Sequence, residues 1–418
     1  MRIPVLLIAL SVVAGVAVGY MPQLGFVGWL YHHCGVGLYE RGKAQYKQEQ
    51  LTKAKASLTA ALKFSPLMPE AHFYLAMTNF LAGNNIEAYN GYNFCIMQGY
   101  NTPAAFHNRA LVKESWGDTV GALQDLLQAV YLEPDQSEFH TSLGRIHYFL
   151  RDSTRAIADC KRAIQLDATN GRAHHLKGSA EMSLNRCREA EISFSRAISL
   201  EPTNSTYFES RGSLRLSQNK NREAIQDFDK SISLLQFNAD ARLGRAKALF
   251  ALNECKAALK DIDMIIKFDE ENAEAFAERG YIFSRMKKRL DAEKAFSKAI
   301  ALAPFDGQIR TDYAIHLYRN KQINEAIEQC SKSVRFEPNC SSAYLFRGIF
   351  NRKLGKIESA MRDFSKAIVV APRALCPYYE RALLKLHLGD REGAKEDWQK
   401  LLRIDPEFDD YYGKLRSL

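Results

Sequence analysis

The sequence predicts an all-α fold, a solenoid of eleven helix pairs, and three observations carry that prediction. A unit of 34 residues repeats eleven times from Gly35 to Phe408 with no insertion or deletion. With each unit numbered from Gly35, position 8 is always Gly or Ala, from Gly42 and Ala76 through to Gly348 and Ala382, and position 20 is always Ala, from Ala54 to Ala394. Position 32 is Pro in seven units (Pro66, Pro134, Pro202, Pro304, Pro338, Pro372 and Pro406), and position 24 is usually large and apolar, as at Phe194, Phe228, Phe296, Phe364 and Trp398. A fixed period in this range marks a stacked-repeat architecture, and it outweighs the two to four globular domains that length alone would suggest.

The physical chemistry of those positions accounts for each element in turn. Side chains no larger than a methyl at 8 and 20 let two antiparallel helices approach closely, with the bulk at 24 filling the space beside them. Helix A is expected over about positions 1–14 and helix B over about 18–31. Proline at 32 ends helix B, because it cannot continue the hydrogen-bond ladder and disfavours helix at the residue before it. Each pair can bury its apolar face only against its neighbours, so the core runs along the array. Composition agrees: 46% hydrophobic and 25% charged residues, with only 24 Gly and 12 Pro, exclude collagen-like, low-complexity and largely disordered chains. The formal net charge of +9 over 418 residues is too dilute to point to nucleic acid.

The two ends differ from the repeats. Residues 1–34 form a hydrophobic segment and lead-in, and from Ile3 to Tyr39 there is no Asp, Glu, Lys or Arg. Residues 3–20 are almost wholly aliphatic or small, and eighteen residues at about 1.5 Å each give roughly 27 Å, enough for one transmembrane helix. The same stretch reads as a signal peptide, with Arg2 as the charged start and Ala17-Val18-Gly19 as a cleavage site before Tyr20. Both readings stay open: a single-pass N-terminal membrane anchor, or a secreted or periplasmic protein after cleavage. Residues 35–408 hold the eleven repeats, and residues 409–418 match the opening of a further helix A, with Tyr412 at position 4 and Leu415 at position 7, as a short cap.

This pattern resembles the tetratricopeptide repeat over about nine tenths of the chain. The resemblance implies a right-handed superhelix whose concave wall is built from A helices and whose groove is lined by positions 2, 5, 9, 12 and 13. Here those positions give Phe73, Met77 and Phe80 in the second unit, Arg145, Tyr148 and Phe149 in the fourth, Lys247 and Phe250 in the seventh, and Tyr281 and Arg285 in the eighth. Such a mixed, aromatic wall suits an extended peptide or a partner helix. The Lys/Asn clamp of chaperone-binding relatives is not reproduced: Asn108 matches its middle element, but Phe73 and Met77 occupy the first two positions.

Position 7, often Leu in that family, is Arg in seven units: Arg41, Arg109, Arg211, Arg245, Arg279, Arg347 and Arg381. Five of those units carry Asp at position 23, namely Asp125, Asp227, Asp261, Asp363 and Asp397, facing the arginine across the antiparallel pair. A charge in a helix interface is costly unless paired, so five structural ion pairs are expected: Arg109 with Asp125, Arg211 with Asp227, Arg245 with Asp261, Arg347 with Asp363 and Arg381 with Asp397. Arg279 faces Ala295 and is the arginine expected to be free.

Positions 12–18, the turn from A into B, hold 15 Lys or Arg against 3 Asp or Glu in units four to ten. Arg186, Arg188, Lys220, Arg222, Arg285, Lys287, Lys288, Arg289, Arg319, Lys321, Arg352, Lys353 and Lys356 are expected to align into one basic rim. It could dock an acidic protein surface or anionic headgroups, or simply keep the turns solvated and complement helix C-termini.

The eight cysteines show no metal or disulfide spacing, and no nucleophile, zinc, Walker or Rossmann motif is present. No cofactor and no catalytic residue are expected. The functional expectation is a membrane-tethered scaffold or assembly factor that binds a protein or peptide through its groove or its basic rim. The alternatives are a secreted or periplasmic adaptor, and a targeting or import receptor, since mitochondrial surface receptors combine an N-terminal anchor with many such repeats.

Overall fold

The computed structural model describes residues 23–405, with side chains from residue 33. The hydrophobic run at residues 3–20 and the cap expected at 409–418 lie outside the described residues. Among those described, every regular element is an α-helix, and no helix is long and apolar enough to cross a membrane. The chain divides into two compact units, at Thr203 and Asn204.

The first unit holds five pairs: α1 (Gln23–Lys47) and α2 (Leu51–Phe64), α3 (Pro69–Leu81) and α4 (Asn85–Met97), α5 (Pro103–Ser115) and α6 (Thr119–Leu132), α7 (Ser137–Phe149) and α8 (Ser153–Leu166), α9 (Gly171–Ser183) and α10 (Cys187–Leu200). The second holds six: α11 (Ser205–Ser217) and α12 (Asn221–Leu234), α13 (Ala239–Ala251) and α14 (Cys255–Phe268), α15 (Ala273–Arg285) and α16 (Arg289–Leu302), α17 (Gly307–Arg319) and α18 (Ile323–Phe336), α19 (Ser341–Lys353) and α20 (Ile357–Val370), α21 (Leu375–His387) and α22 (Arg391–Ile404). Odd-numbered helices are A and even-numbered are B.

The boundaries fall one residue earlier than expected, and the turn shows why. Position 15 adopts positive φ in every repeat, from Glu49 at 59° to Gly389 at 83°. This left-handed residue lets its own amide and the next reach back into the last turn of helix A, as when Gly117 N donates to Glu114 O at 2.9 Å and Asp118 N to Lys113 O at 2.9 Å. That closure stops helix A at position 13 and starts helix B at 17. Gly or Asn takes the strained position in seven repeats, whereas Glu49, Arg151, Lys287 and Lys321 take it at a steric cost. Helix B ends on an extended residue before Pro202 (Glu201, φ −130°), as expected, but Asp167 and Leu235 adopt the same geometry with no proline after them. Proline marks that break without being required for it.

Side-chain caps start the A helices: Asn170, Asn238, Asn272 and Asp306 each accept the third helical amide at 2.8–2.9 Å. Packing follows the small-residue register. All eleven alanines at position 20 are fully buried. Glycine at 8 is matched to phenylalanine at 24, since a Cβ on Gly178, Gly212, Gly280 or Gly348 would stand 2.6–2.9 Å from the ring of Phe194, Phe228, Phe296 or Phe364. Where position 8 is Ala, as at Ala110 and Ala246, the partner is Leu126 or Ile262. In these repeats the smaller residue at 8 meets the larger one at 24, as close packing favours, whereas Ala76 and Ala382 face Tyr92 and Trp398, and Gly144 faces Cys160.

Candidate functional site

The interhelix charges are consumed by structure. In all five Arg–Asp repeats the guanidinium donates two hydrogen bonds to the facing carboxylate; Arg109 reaches Asp125 at 2.6 and 2.8 Å, and Arg211, Arg347 and Arg381 do the same to Asp227, Asp363 and Asp397 within 3.2 Å. Arg245 holds Asp261 in the same fork. Each aspartate gains a second donor from helix A: Lys113, Arg215, Asn351 and Lys385 at 2.8–3.1 Å, and Arg242 at 3.4 Å on Asp261. Burial raises the Asp397 carboxyl, but Arg381 and Lys385 more than offset it and hold its pKa below the usual carboxylate range.

The sequence reading missed the third contact. The remaining guanidinium nitrogen reaches position 25 of the preceding repeat: Arg109 to Asn93 at 2.8 Å, Arg347 to Ser331 at 3.3 Å, Arg381 to Ser365 at 3.0 Å, and Arg245 to Asp229. Arg279, expected to be free, uses the same contact and pairs with Asp263 at 3.2 Å. The signal was present, since each of these arginines is preceded by Asn, Ser or Asp sixteen residues earlier. These arginines staple consecutive repeats.

Of the groove residues in the first unit, several belong to the core instead. Phe73 is only 7% exposed and packs edge-on against Tyr92, so it cannot anchor a ligand from the wall. Met77 and Phe80 lie half-buried against that cluster, and Tyr148 packs on Ala156 and Ile157. Arg145 pairs with Glu114 at 2.9 Å, while Phe149 projects into solvent.

The second unit brings Lys247, Phe250 and Tyr281 together in one open cleft of about 590 Å³ on α13, α15 and α17. Among successive A helices of this unit, α13 and α15 approach least closely, which leaves the space. The Phe250 and Tyr281 rings meet at 5.0 Å, with Arg285 5.4 Å over the first and Arg319 5.4 Å over the second. The other end is acidic, lined by Glu274, Glu278, Asp306 and Asp312. Lys247 is bonded to Glu274 at 2.8 Å and lies 3.5 Å from Glu278; burial opposes its charge, yet the two carboxylates raise its pKa above the ordinary lysine value. Burial raises Glu278 despite Lys247, and pushes Asp312 up to about 7, against a single hydrogen bond from Gln308 at 3.0 Å.

Glu274 and Gln308 occupy groove position 2, so the register that named Lys247 and Tyr281 also contained them. Glu278 and Asp312 stand at position 6, outside that register. Their signal was an acid at the same position of two consecutive repeats.

The basic edge is exposed in both units: Arg186 and Arg188 in the first, and Lys220, Arg222, Arg285, Lys287, Lys288, Arg289, Arg319, Lys321, Lys353 and Lys356 in the second. Arg352 departs from this, being half-buried and bonded to Glu380 at 2.7 Å. Arg289 pairs with Glu293 at 2.8 Å. Among the described residues no cluster of three His, Cys, Asp or Glu could hold a metal ion.

Models of the tetratricopeptide repeat match residues 39–89 and 210–273 in one form, and residues 137–170, 171–204 and 377–408 in another. Among solved structures, yeast Tom70 is similar in fold, with 15% sequence identity and a TM-score of 0.53 over 90% of this chain and 93% of that one. A tetratricopeptide repeat protein from Parabacteroides merdae is 22% identical, with a TM-score of 0.48 over 57% of this chain and 94% of that one. PilF of Pseudomonas aeruginosa is 22% identical, with a TM-score of 0.44 over 48% of this chain and 92% of that one. No curated protein matches.

Proposed function

Because this chain is a tetratricopeptide-repeat protein, we propose that it is a non-catalytic scaffold that holds an extended segment of a protein partner against the A helices of repeats seven to nine. The observation that carries this reading is the open cleft with Phe250 and Tyr281 in its wall. Two half-buried rings at the mouth of a cavity offer the apolar anchor that peptide recognition needs, with polar groups around it to fix orientation. Phe250 leans on the core cluster of Ala246 and Ile262, yet both rings stay only half-buried where they line the cleft, in contrast to Phe73.

A photo-cross-linking residue at position 281, expressed in native cells, tests the proposal. Adducts with a partner are expected from position 281 and not from position 369, whose valine is exposed on a B helix. Adducts from 369 alone, or from neither, would refute it. The exposed cations at the A-to-B turns offer an acidic partner surface a second contact, sensitive to salt.

The uncharged run at residues 3–39 supports tethering of this scaffold at a membrane. Retention in the membrane pellet after alkaline extraction is the expected behaviour, with the intact mass including residues 1–19. Loss of those residues from the mature chain would make it a secreted or periplasmic adaptor instead.

A further inference from the structure

We propose that the cleft of repeats seven to nine selects a partner segment carrying a lysine or arginine next to an apolar residue, the cation seated against Glu274, Glu278 and Asp312 and the apolar side chain against Phe250 and Tyr281. This rests on the reading above that the A-helix wall binds an extended segment, and adds to it the chemistry of what is bound.

The charges in the cleft do not balance. Four carboxylates line it against one ammonium, that of Lys247. Lys247 is committed to Glu274 at 2.8 Å and Glu278 at 3.5 Å. Asp306 is committed to capping α17, where it accepts the Ile309 amide at 2.8 Å. Asp312 is left with one neutral donor, Gln308, whose own carbonyl oxygen accepts from Ser342 of α19 at 2.7 Å. No cation lies within ion-pair distance of Asp312 among the described residues. The acids facing it, Glu278 from α15 and Asp306 at the cap of α17, share its sign, and Lys247 of α13 is the one opposing charge that it feels.

This contrasts with the five position-23 aspartates that face an arginine, each of which also has a second donor. A carboxylate that is partly desolvated, borders an open cavity and lacks a counter-charge gains most from a cation that a ligand brings. Burial raises the Asp312 pKa to about 7, so a cation arriving beside it favours the ionised carboxylate and binds more tightly as pH rises. The opposite end of the cleft fixes the direction. Arg285 and Arg319 already lie over the two rings and repel a second cation there, so the ligand's positive side chain must enter at the acidic end.

The test is selection of a random displayed peptide library on the immobilised full chain, run in parallel on Glu274→Gln/Glu278→Gln/Asp312→Asn and on Phe250→Ala/Tyr281→Ala. The expected result is recovery of peptides enriched in Lys or Arg beside an apolar residue from the native chain. Their affinity should fall about tenfold or more on the carboxamide variant, and binding should be lost on the aromatic variant. Circular dichroism of both variants checks that the helices persist, and Asp312→Asn alone, which removes a destabilising buried charge, covers the case in which the triple variant fails to fold. Peptides without cationic enrichment, or with unchanged affinity for the carboxamide variants, would overturn this inference and leave the scaffold reading standing. Failure to recover any peptide dependent on Phe250 and Tyr281 would overturn both.

Discussion

Replacing Gly348 by alanine probes the contact on which every repeat depends. On an isolated helix this change stabilises by about 1 kcal/mol, because alanine loses less backbone entropy than glycine. In repeat ten the new Cβ would stand 2.6 Å from Cε1 and 2.8 Å from Cδ1 of Phe364, whose ring is fully buried and cannot swing away. Overpacking of that kind costs about 1–3 kcal/mol, so the propensity gain should be cancelled or reversed. Phe364→Leu recreates the alanine–leucine pairing of Ala110 and Leu126, and in that background Gly348→Ala should recover its full gain. The double-mutant cycle therefore predicts a coupling of about 1–3 kcal/mol. Long repeat arrays do not unfold all-or-none, so the measurement is native-state amide exchange of α19 and α20, where 1.4 kcal/mol reads as about a tenfold change in rate. If Gly348→Ala slows exchange equally in both backgrounds, the close-approach argument is wrong.

Other substitutions test separate parts of the structure. Arg151 holds φ 63° in the turn of repeat four, so Arg151→Gly should stabilise that repeat by about 1 kcal/mol, read as slower exchange in α7 and α8. Asp397→Asn leaves Arg381 and Lys385 without their shared carboxylate and should cost about 3–5 kcal/mol, visible as a lower midpoint in urea monitored through Trp398. Asp397 has a lowered pKa when folded, so its stabilisation is present above the unfolded value near 3.8 and is lost as the pH falls through the folded one; the native and Asp397→Asn proteins should converge in stability in acid. Asp312 behaves in the opposite sense. Its raised pKa means that the folded chain holds the proton more tightly, so stability declines as pH climbs from about 3.8 to about 7. Asp312→Asn should match the native protein below that window and exceed it above, by at most about 4 kcal/mol at about 1.4 kcal/mol per pKa unit and less as solvent screens this half-buried group, in urea titrations across pH.

The helical architecture was legible because it rests on volume, and volume is written in residue identity. Ala54 through Ala394 could sit only where two helices touch, and the Arg–Asp partners followed from the same antiparallel register. What escaped were contacts between repeats. The guanidinium of Arg279 was expected to be free because only its own helix pair was considered, yet Asp263 of the preceding repeat accepts from it. The groove was harder to read. Phe73 and Phe250 both fall in the groove register, but Phe73 at position 5 is buried against Tyr92 of its own repeat, while Phe250 at position 12 lines a cleft. Asp312 showed in the sequence only as an acid repeated at position 6 after Glu278; its character comes from the burial and like charge that packing imposes.

Methyl resonances of the isoleucines, followed while the full chain is titrated with a lysine-bearing peptide recovered in the selection, test the central claim most directly. Ile309 and Ile315 line the cleft, whereas Ile86 and Ile192 are exposed on B helices of the first unit. The account predicts shifts at Ile309 and Ile315 that saturate with the peptide and need more peptide to saturate in Asp312→Asn, with Ile86 and Ile192 unmoved. Shifts confined to Ile86 and Ile192, or unaffected by Asp312→Asn, would contradict it.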